Sequence, residues 1–186
     1  TLEADFFSNP AGSMGTVHCR PWRAGRTALL IGDAAHGIVP FHGQGMNSAL
    51  EDCVVLEDLL SGSRDWSGLF TEFERLRRPN TDAIAEMALE NYIEMRDTVR
   101  DPKFQLQKAL SLELERRFPE RFVPRYSMVM FHHEIGYADA YARGEIQQDL
   151  LDLLTRESRR LEDIDWRGAA ELIAERLPPF ADVTAS

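Results

Sequence analysis

The sequence predicts an α/β fold in which one or two strands, then a glycine-rich crossing loop, lead into a mainly helical region. Three observations predict it. "TALLI" at residues 27–31 is a short apolar run stopped by Gly32, the pattern of a buried strand. "GDAAHGIVPFHGQG" at 32–45 has the glycine content of a loop that brings a ligand close to the main chain. From Met46 onward, apolar residues recur at helical spacing.

The elements follow in order. Gly15–Cys19 ("GTVHC") reads as a first short strand, "RPWRAGR" as a turn, and Thr27–Ile31 as the stronger strand. Two strands cannot supply both neighbours of a buried one, so its further partners are expected outside this sequence. Gly32–Gly45 is loop. The helix from Met46 places Met46, Ala49, Leu50, Cys53, Leu56 and Leu60 on one side and turns Glu51, Asp52 and Asp58 away. Asn47 serves as its cap or first turn, and "SGSRDWSG" ends it. Leu69, Phe70, Phe73 and Leu76 form the stripe of the next helix, which Pro79 breaks or kinks. Asp82–Asp97 is a further helix, and Asp101-Pro102 opens another with Phe104, Leu106, Ala109, Leu110 and Leu114 inside. Residues 118–131 read as irregular, Glu145–Thr155 and Trp166–Leu177 as helices, and "PPFADVTAS" as a frayed tail.

Composition narrows the function. Across 186 residues, 31 Asp+Glu against 21 Lys+Arg give a net charge of −10, which argues against nucleic acid and anionic membranes as partners. No apolar run approaches the roughly 18 residues of a membrane span. Cys19 and Cys53 are too few for a disulfide framework, which favours a reducing compartment and a cytoplasmic location. The chain begins with Thr1 in mid-pattern and is expected to be the middle of a longer protein.

Chemistry concentrates between Gly32 and Asp52. Asp33 follows a strand, where open α/β sheets bind ligands. Its carboxylate suits a hydroxyl donor such as a polyol, or it simply caps the following turn. Gly43, Gln44, Gly45, Met46 and Asn47 run into a helix N-terminus, whose free amides and dipole stabilise negative charge. No Lys or Arg stands between Gly32 and Asp52, so a delocalised partial charge fits better than a triphosphate. Downstream, Ile84, Ala88, Asn91 and Met95 share one helical face, so the Asn91 amide interrupts an apolar stripe and needs a partner. That partner is either a ligand or a neighbouring backbone group. His132-His133-Glu134 lacks i, i+4 ligand spacing, and no metal site is expected. His36 is read as structural and Arg77-Arg78 as a solvated or helix-end pair.

The stretch "RTALLIGDAAHGIVPFHGQGMNSALEDCVVLEDLL" resembles the second flavin-binding motif of the FAD-dependent aromatic hydroxylases, the group A flavoprotein monooxygenases. "VPFHGQGMN", "ALENYIEMRD" and "PRYSMV" narrow the resemblance to members that hydroxylate L-kynurenine. It implies a part of the FAD/NAD(P)-binding fold, with FAD as cofactor and NADPH as co-substrate. Asp33 would hold the ribityl chain, and Gly43, Gln44, Gly45, Met46 and Asn47 would lie along the flavin edge. Asn91 and Tyr126 would hold the amino-acid end of L-kynurenine, and Pro40, Phe41, His42 and Met95 its aromatic end. No residue of this chain is assigned as catalytic acid or base.

The same resemblance divides the chain into 1–61, the C-terminal part of the FAD-binding domain, and 62–186, a helical region contributing to the substrate pocket. The family's glycine-rich dinucleotide fingerprint is absent here. An N-terminal remainder of the same enzyme is therefore expected as a partner, and the isolated chain is expected to be inactive. The alternatives are a hydroxylase of phenols or benzoates, which needs no grip on an amino-acid end, and a non-catalytic helical partner-binding fragment.

Overall fold

The computed structural model describes residues 1–62 and 65–180. Helix α1 (Leu2–Ser8) precedes an irregular stretch and a small antiparallel hairpin, β1 (Arg23–Ala24) and β2 (Ala28–Leu29). Its turn is made by Gly25, at φ +58°. Gly15–Cys19 is not a strand. It is held instead by single bonds, Val17 N to the Gly37 carbonyl (2.7 Å) and Cys19 N to the Ala35 carbonyl (3.1 Å). The strand expected at 27–31 contracts to two residues paired with what was read as a turn, and Leu30 and Ile31 remain partly exposed.

A short helix α2 (Asp33–His36) stands inside the predicted loop, followed by α3 (Gly45–Gly62) and α4 (Trp66–Ile93). Asp65 caps α4 by accepting from the amides of Ser67 and Gly68. Pro79 does not break α4. It sits on the exposed side, where water can satisfy the Arg75 carbonyl that a proline leaves unpaired. One residue on, Asn80 donates to the Leu76 carbonyl (3.3 Å) and accepts from Ala138 N (3.0 Å). It thereby caps the helix at Tyr137–Leu154, whose own N-cap is Gly136, a residue without a side chain. A π-helical turn, Glu94–Thr98, closes α4.

The remaining helices are α5 (Pro102–Arg117), capped by Asp101, α6 (Arg125–Phe131), α7 (Tyr137–Leu154) and α8 (Trp166–Arg176). Helix α6 occupies the second half of the stretch expected to be irregular, and α7 begins eight residues earlier than expected. Leu110 and Leu114 of α5 are buried as expected. They join Leu150 and Ile173 in the core where α5, α7 and α8 meet. Of the tail "PPFADVTAS", residues 181–186 lie outside the described residues, as do residues 63 and 64 of the stretch expected to end α3. No helix among the described residues is long and apolar enough to cross a membrane.

Helix α3 is turned about its axis from the face its apolar residues suggested, although Leu56 packs inward as expected. Met46 (73 % exposed), Leu50 and Cys53 face outward, whereas Asp52 is completely buried. The inward stripe is Ser48, Asp52, Val55, Leu56 and Leu59, packed toward Trp22, Ala35 and Phe73. The helix carries two apolar faces, and periodicity alone does not choose between them.

Gly32 marks the join of the hairpin to α2. Its backbone, φ +58° and ψ −145°, belongs to a region only glycine tolerates, and a Cβ there would lie 3.3 Å from Ala49 Cβ. Gly32→Ala is expected to lower unfolding free energy by about 1–3 kcal/mol, measured by urea denaturation. A variant as stable as wild type would show that this turn relaxes freely.

Candidate flavin and substrate site

Helices α2, α3, α4 and α6 and the 37–44 loop build the site. At its base, Asp52 Oδ2 accepts from the Gly32 amide (2.9 Å) and pairs with His36 Nε2 (2.7 Å), while Oδ1 accepts from Arg77 Nε (2.7 Å). Arg77 also donates to the Ser48 carbonyl (3.0 Å) and pairs with Glu51 (2.9 Å). Burial alone would push the Asp52 carboxyl up. The hydrogen bonds from His36, Arg77 and Gly32 outweigh it and hold the group below the usual carboxylate range. Trp22 packs over His36, ring centroids 5.2 Å apart. Arg77 is therefore neither solvated nor a helix-end residue. It is buried at 4 % exposure and ties α4 to α3.

A cleft of about 450 Å³ is lined by Asp33, Ile38, Pro40, Gly43, Gly45, Met46 and Ala49. The structure thus brings together four of the residues expected to hold the cofactor. Gly43, at φ +72°, and Gly45 have open space where a Cβ would stand, so the backbone there is bare. Helix α3 opens at this wall, and its first helical bond runs from Ser48 N to the Gln44 carbonyl. The amides at its start are left to face a ligand. An exposed carboxylate, a bare backbone and a helix N-terminus suit a polyol joined to a flat, partly anionic edge.

Gln44 and Asn47 turn their side chains elsewhere. Gln44 Oε1 accepts from Asn47 Nδ2 (2.7 Å) and from the Tyr137 hydroxyl (3.2 Å), and its Nε2 donates to Met130 Sδ (3.0 Å). Both residues line a second cavity of about 520 Å³ between α3, α4 and residues 129–137. Burial pushes the Tyr137 phenol well up, with Glu51 adding to the effect, so the hydroxyl stays protonated as a donor. Toward a ligand in the cleft, Gln44 and Asn47 therefore have only their backbone to offer.

On the other side of the loop, Phe41 packs at a tilt against Tyr92 (4.5 Å between centroids) and His42 stacks on Tyr126 (5.3 Å). Asn91 Nδ2 donates to the Phe41 carbonyl at 2.5 Å. Of the residues expected around the substrate, Phe41, His42, Asn91 and Tyr126 come together. Pro40 lines the cleft beside Asp33, and Met95 is half exposed on the π-helical turn. His42 is buried, with no partner for Nδ1 among the described residues. Burial lowers its pKa and the charge of Arg125 adds to the shift, so the ring is neutral at pH 7. His132 and His133 pair with Glu134 (2.9 and 3.6 Å). No group of three or more His, Cys, Asp or Glu among the described residues is placed to hold a metal.

Residues 1–85 match the family model described as FAD binding domain. Over 94 % of its length the chain is 53 % identical to the kynurenine 3-monooxygenase of Myxococcus xanthus. It is 50 % identical over 95 % to that of Stenotrophomonas maltophilia and 44 % over 93 % to that of Legionella pneumophila. The chain is homologous to kynurenine 3-monooxygenases. It spans 38–39 % of the length of these relatives. The family match covers the hairpin, the 32–45 loop and α3, and ends within α4, so it contains the whole Asp33–Ala49 cleft and one wall of the second cavity. The buried Asp52–His36–Arg77 group is the part that sequence reasoning missed. The signal available was the placement of Asp52 on the Ser48–Val55–Leu59 stripe, with three arginines downstream on the next helix.

Proposed function

We propose that the protein containing this chain hydroxylates L-kynurenine to 3-hydroxykynurenine, using FAD, NADPH and O2. The observation that carries this reading is the meeting of Asn91 with the Phe41-His42 segment, on the same loop that forms the Asp33–Gly45 cleft. One face of the loop suits a flavin and the other an aromatic amino acid.

The residues fit FAD. Asp33 would accept from ribityl hydroxyls, the bare backbone at Gly43 and Gly45 would admit the ring edge, and the amides at the start of α3 would stabilise charge on it. Bound FAD supplies the redox chemistry, taking electrons from NADPH and delivering them to O2. The chain's own residues bind, orient and exclude water. Asn91 Nδ2 is occupied by the Phe41 carbonyl, so Oδ1 is the free end, an acceptor suited to the α-ammonium group of the substrate. Tyr126, stacked on His42, would close the amino-acid end. Pro40, Phe41, His42 and Met95 would flank the ring, and neutral His42 avoids placing a charge beside it. On this reading residues 1–61 complete the FAD-binding domain, residues 62–186 contribute the substrate pocket, and the enzyme works in the cytoplasm.

The test is a visible spectrum of the native protein followed by NADPH oxidation. Bound flavin, with oxidation stimulated by L-kynurenine and a product one oxygen heavier, is the expected result. Flavin with stimulation by benzoate or phenol and none by kynurenine would refute the substrate.

A further inference from the structure

An ion pair stands next to the proposed substrate grip. Arg125 opens α6 immediately before Tyr126, and Glu90 stands immediately before Asn91 on α4. Arg125 Nη2 meets the Glu90 carboxylate at 2.6 Å, and Nη1 reaches Glu145 of α7 at 3.4 Å. The Tyr141 hydroxyl donates to the same Glu90 carboxylate (3.2 Å), with the guanidinium 5.8 Å from the centre of its ring. Helix α7 makes room for this arrangement at Gly144, where a Cβ would collide with Arg125 Cδ and Cγ. Three helices are thus referenced to one guanidinium, at the residues next to Asn91 and Tyr126.

We propose that Arg125 and Glu90 are positioning residues that set the separation of Asn91 and Tyr126 and so the grip on the amino-acid end of the substrate, with Gly144 as their seat. The proposal rests on the kynurenine reading. The pair is partly exposed, 27 % for Arg125 and 37 % for Glu90. Exposed pairs of this kind contribute little to stability. By joining one carboxylate on α4 to another on α7 from a guanidinium on α6, it instead restricts where the two neighbouring side chains stand.

The test compares Glu90→Gln, Arg125→Lys and the charge exchange Glu90→Arg/Arg125→Glu in the native protein. Two substrates are used: L-kynurenine and 2-aminoacetophenone, which has the ring and lacks the amino-acid end. Glu90→Gln and Arg125→Lys are expected to raise KM for kynurenine about five- to tenfold, with kcat, bound flavin and Tm close to wild type. Response to the ring-only analogue should be unchanged, and the charge exchange should recover part of the loss. Unchanged kynurenine KM, or KM raised equally for both compounds, would overturn the proposal. So would joint loss of flavin, kcat and thermal stability, the mark of a merely structural pair. Wild-type protein that bound flavin and ignored kynurenine would overturn the parent reading as well, and is seen before any variant is made.

Discussion

Asp52→Ala should lower unfolding free energy by about 3–5 kcal/mol, the usual loss when one partner of a buried ion pair is removed. For a chain of this size that corresponds to a fall in Tm of roughly 6–20 °C. The carboxylate is fully buried and receives three donors from three elements: the Gly32 amide at the end of the hairpin, His36 of α2 and Arg77 of α4. Without it, the buried Arg77 keeps the half-exposed Glu51 and the neutral Ser48 carbonyl, and the Gly32 amide loses its acceptor. Asp52→Ala/Arg77→Ala should lose less than the sum of the two single changes, because each single change strands the other's charge. Additive losses would show that the two residues act independently. pH gives a second check. The folded pKa of Asp52 lies below its unfolded value of about 3.9. The stabilisation is therefore complete above that pH and is lost as pH falls through the folded pKa. Acid unfolding of Asp52→Asn should show a shallower dependence in that window than wild type.

This network also explains which parts of the structure the sequence could reveal. The start of α3, the Asp101-Pro102 cap of α5 and helix α8 depend on residues close in sequence, and local patterns located them, whereas the stretch expected to be loop at 32–45 holds the short helix α2. The inward face of α3 depends on Arg77, twenty-five residues beyond Asp52, and on His36, sixteen residues before it. Glu51-Asp52 has the look of a solvated acidic pair until those partners are placed. The hairpin was misread for a related reason: a two-residue strand has too few side chains to show alternation, and "TALLI" carried the pattern that β1 lacked. Pro79 misled because its effect depends on whether the carbonyl it strands meets water or core, which sequence does not state. Among the site residues, Gly43 and Gly45 were legible through backbone chemistry. That Gln44 and Asn47 point into a different cavity follows from Tyr137 and Met130, both about ninety residues away.

Asn91→Ala should raise KM for kynurenine by roughly tenfold or more while leaving bound flavin unchanged. The substitution removes two things at once: the Oδ1 acceptor proposed for the substrate ammonium, and the Nδ2 donor that holds the Phe41 carbonyl. A lost hydrogen bond to a charged partner costs about 1.5–3 kcal/mol, which is roughly a ten- to hundredfold change in affinity. Release of the Phe41 carbonyl adds a loosening of the wall formed by Phe41 and Tyr92. Asp33→Ala makes the opposite change. It lies in the cleft with Gly43 and Gly45, away from the Asn91–Tyr126 pair, so flavin affinity should fall while kynurenine KM stays near wild type in the molecules that retain flavin. The crossed pattern is the decisive reading, since a general loss of folding would move both quantities in both variants. Asn91→Ala with unaltered kynurenine kinetics would leave that residue the single task of holding the loop, and the amino-acid grip would then have to be sought outside α4.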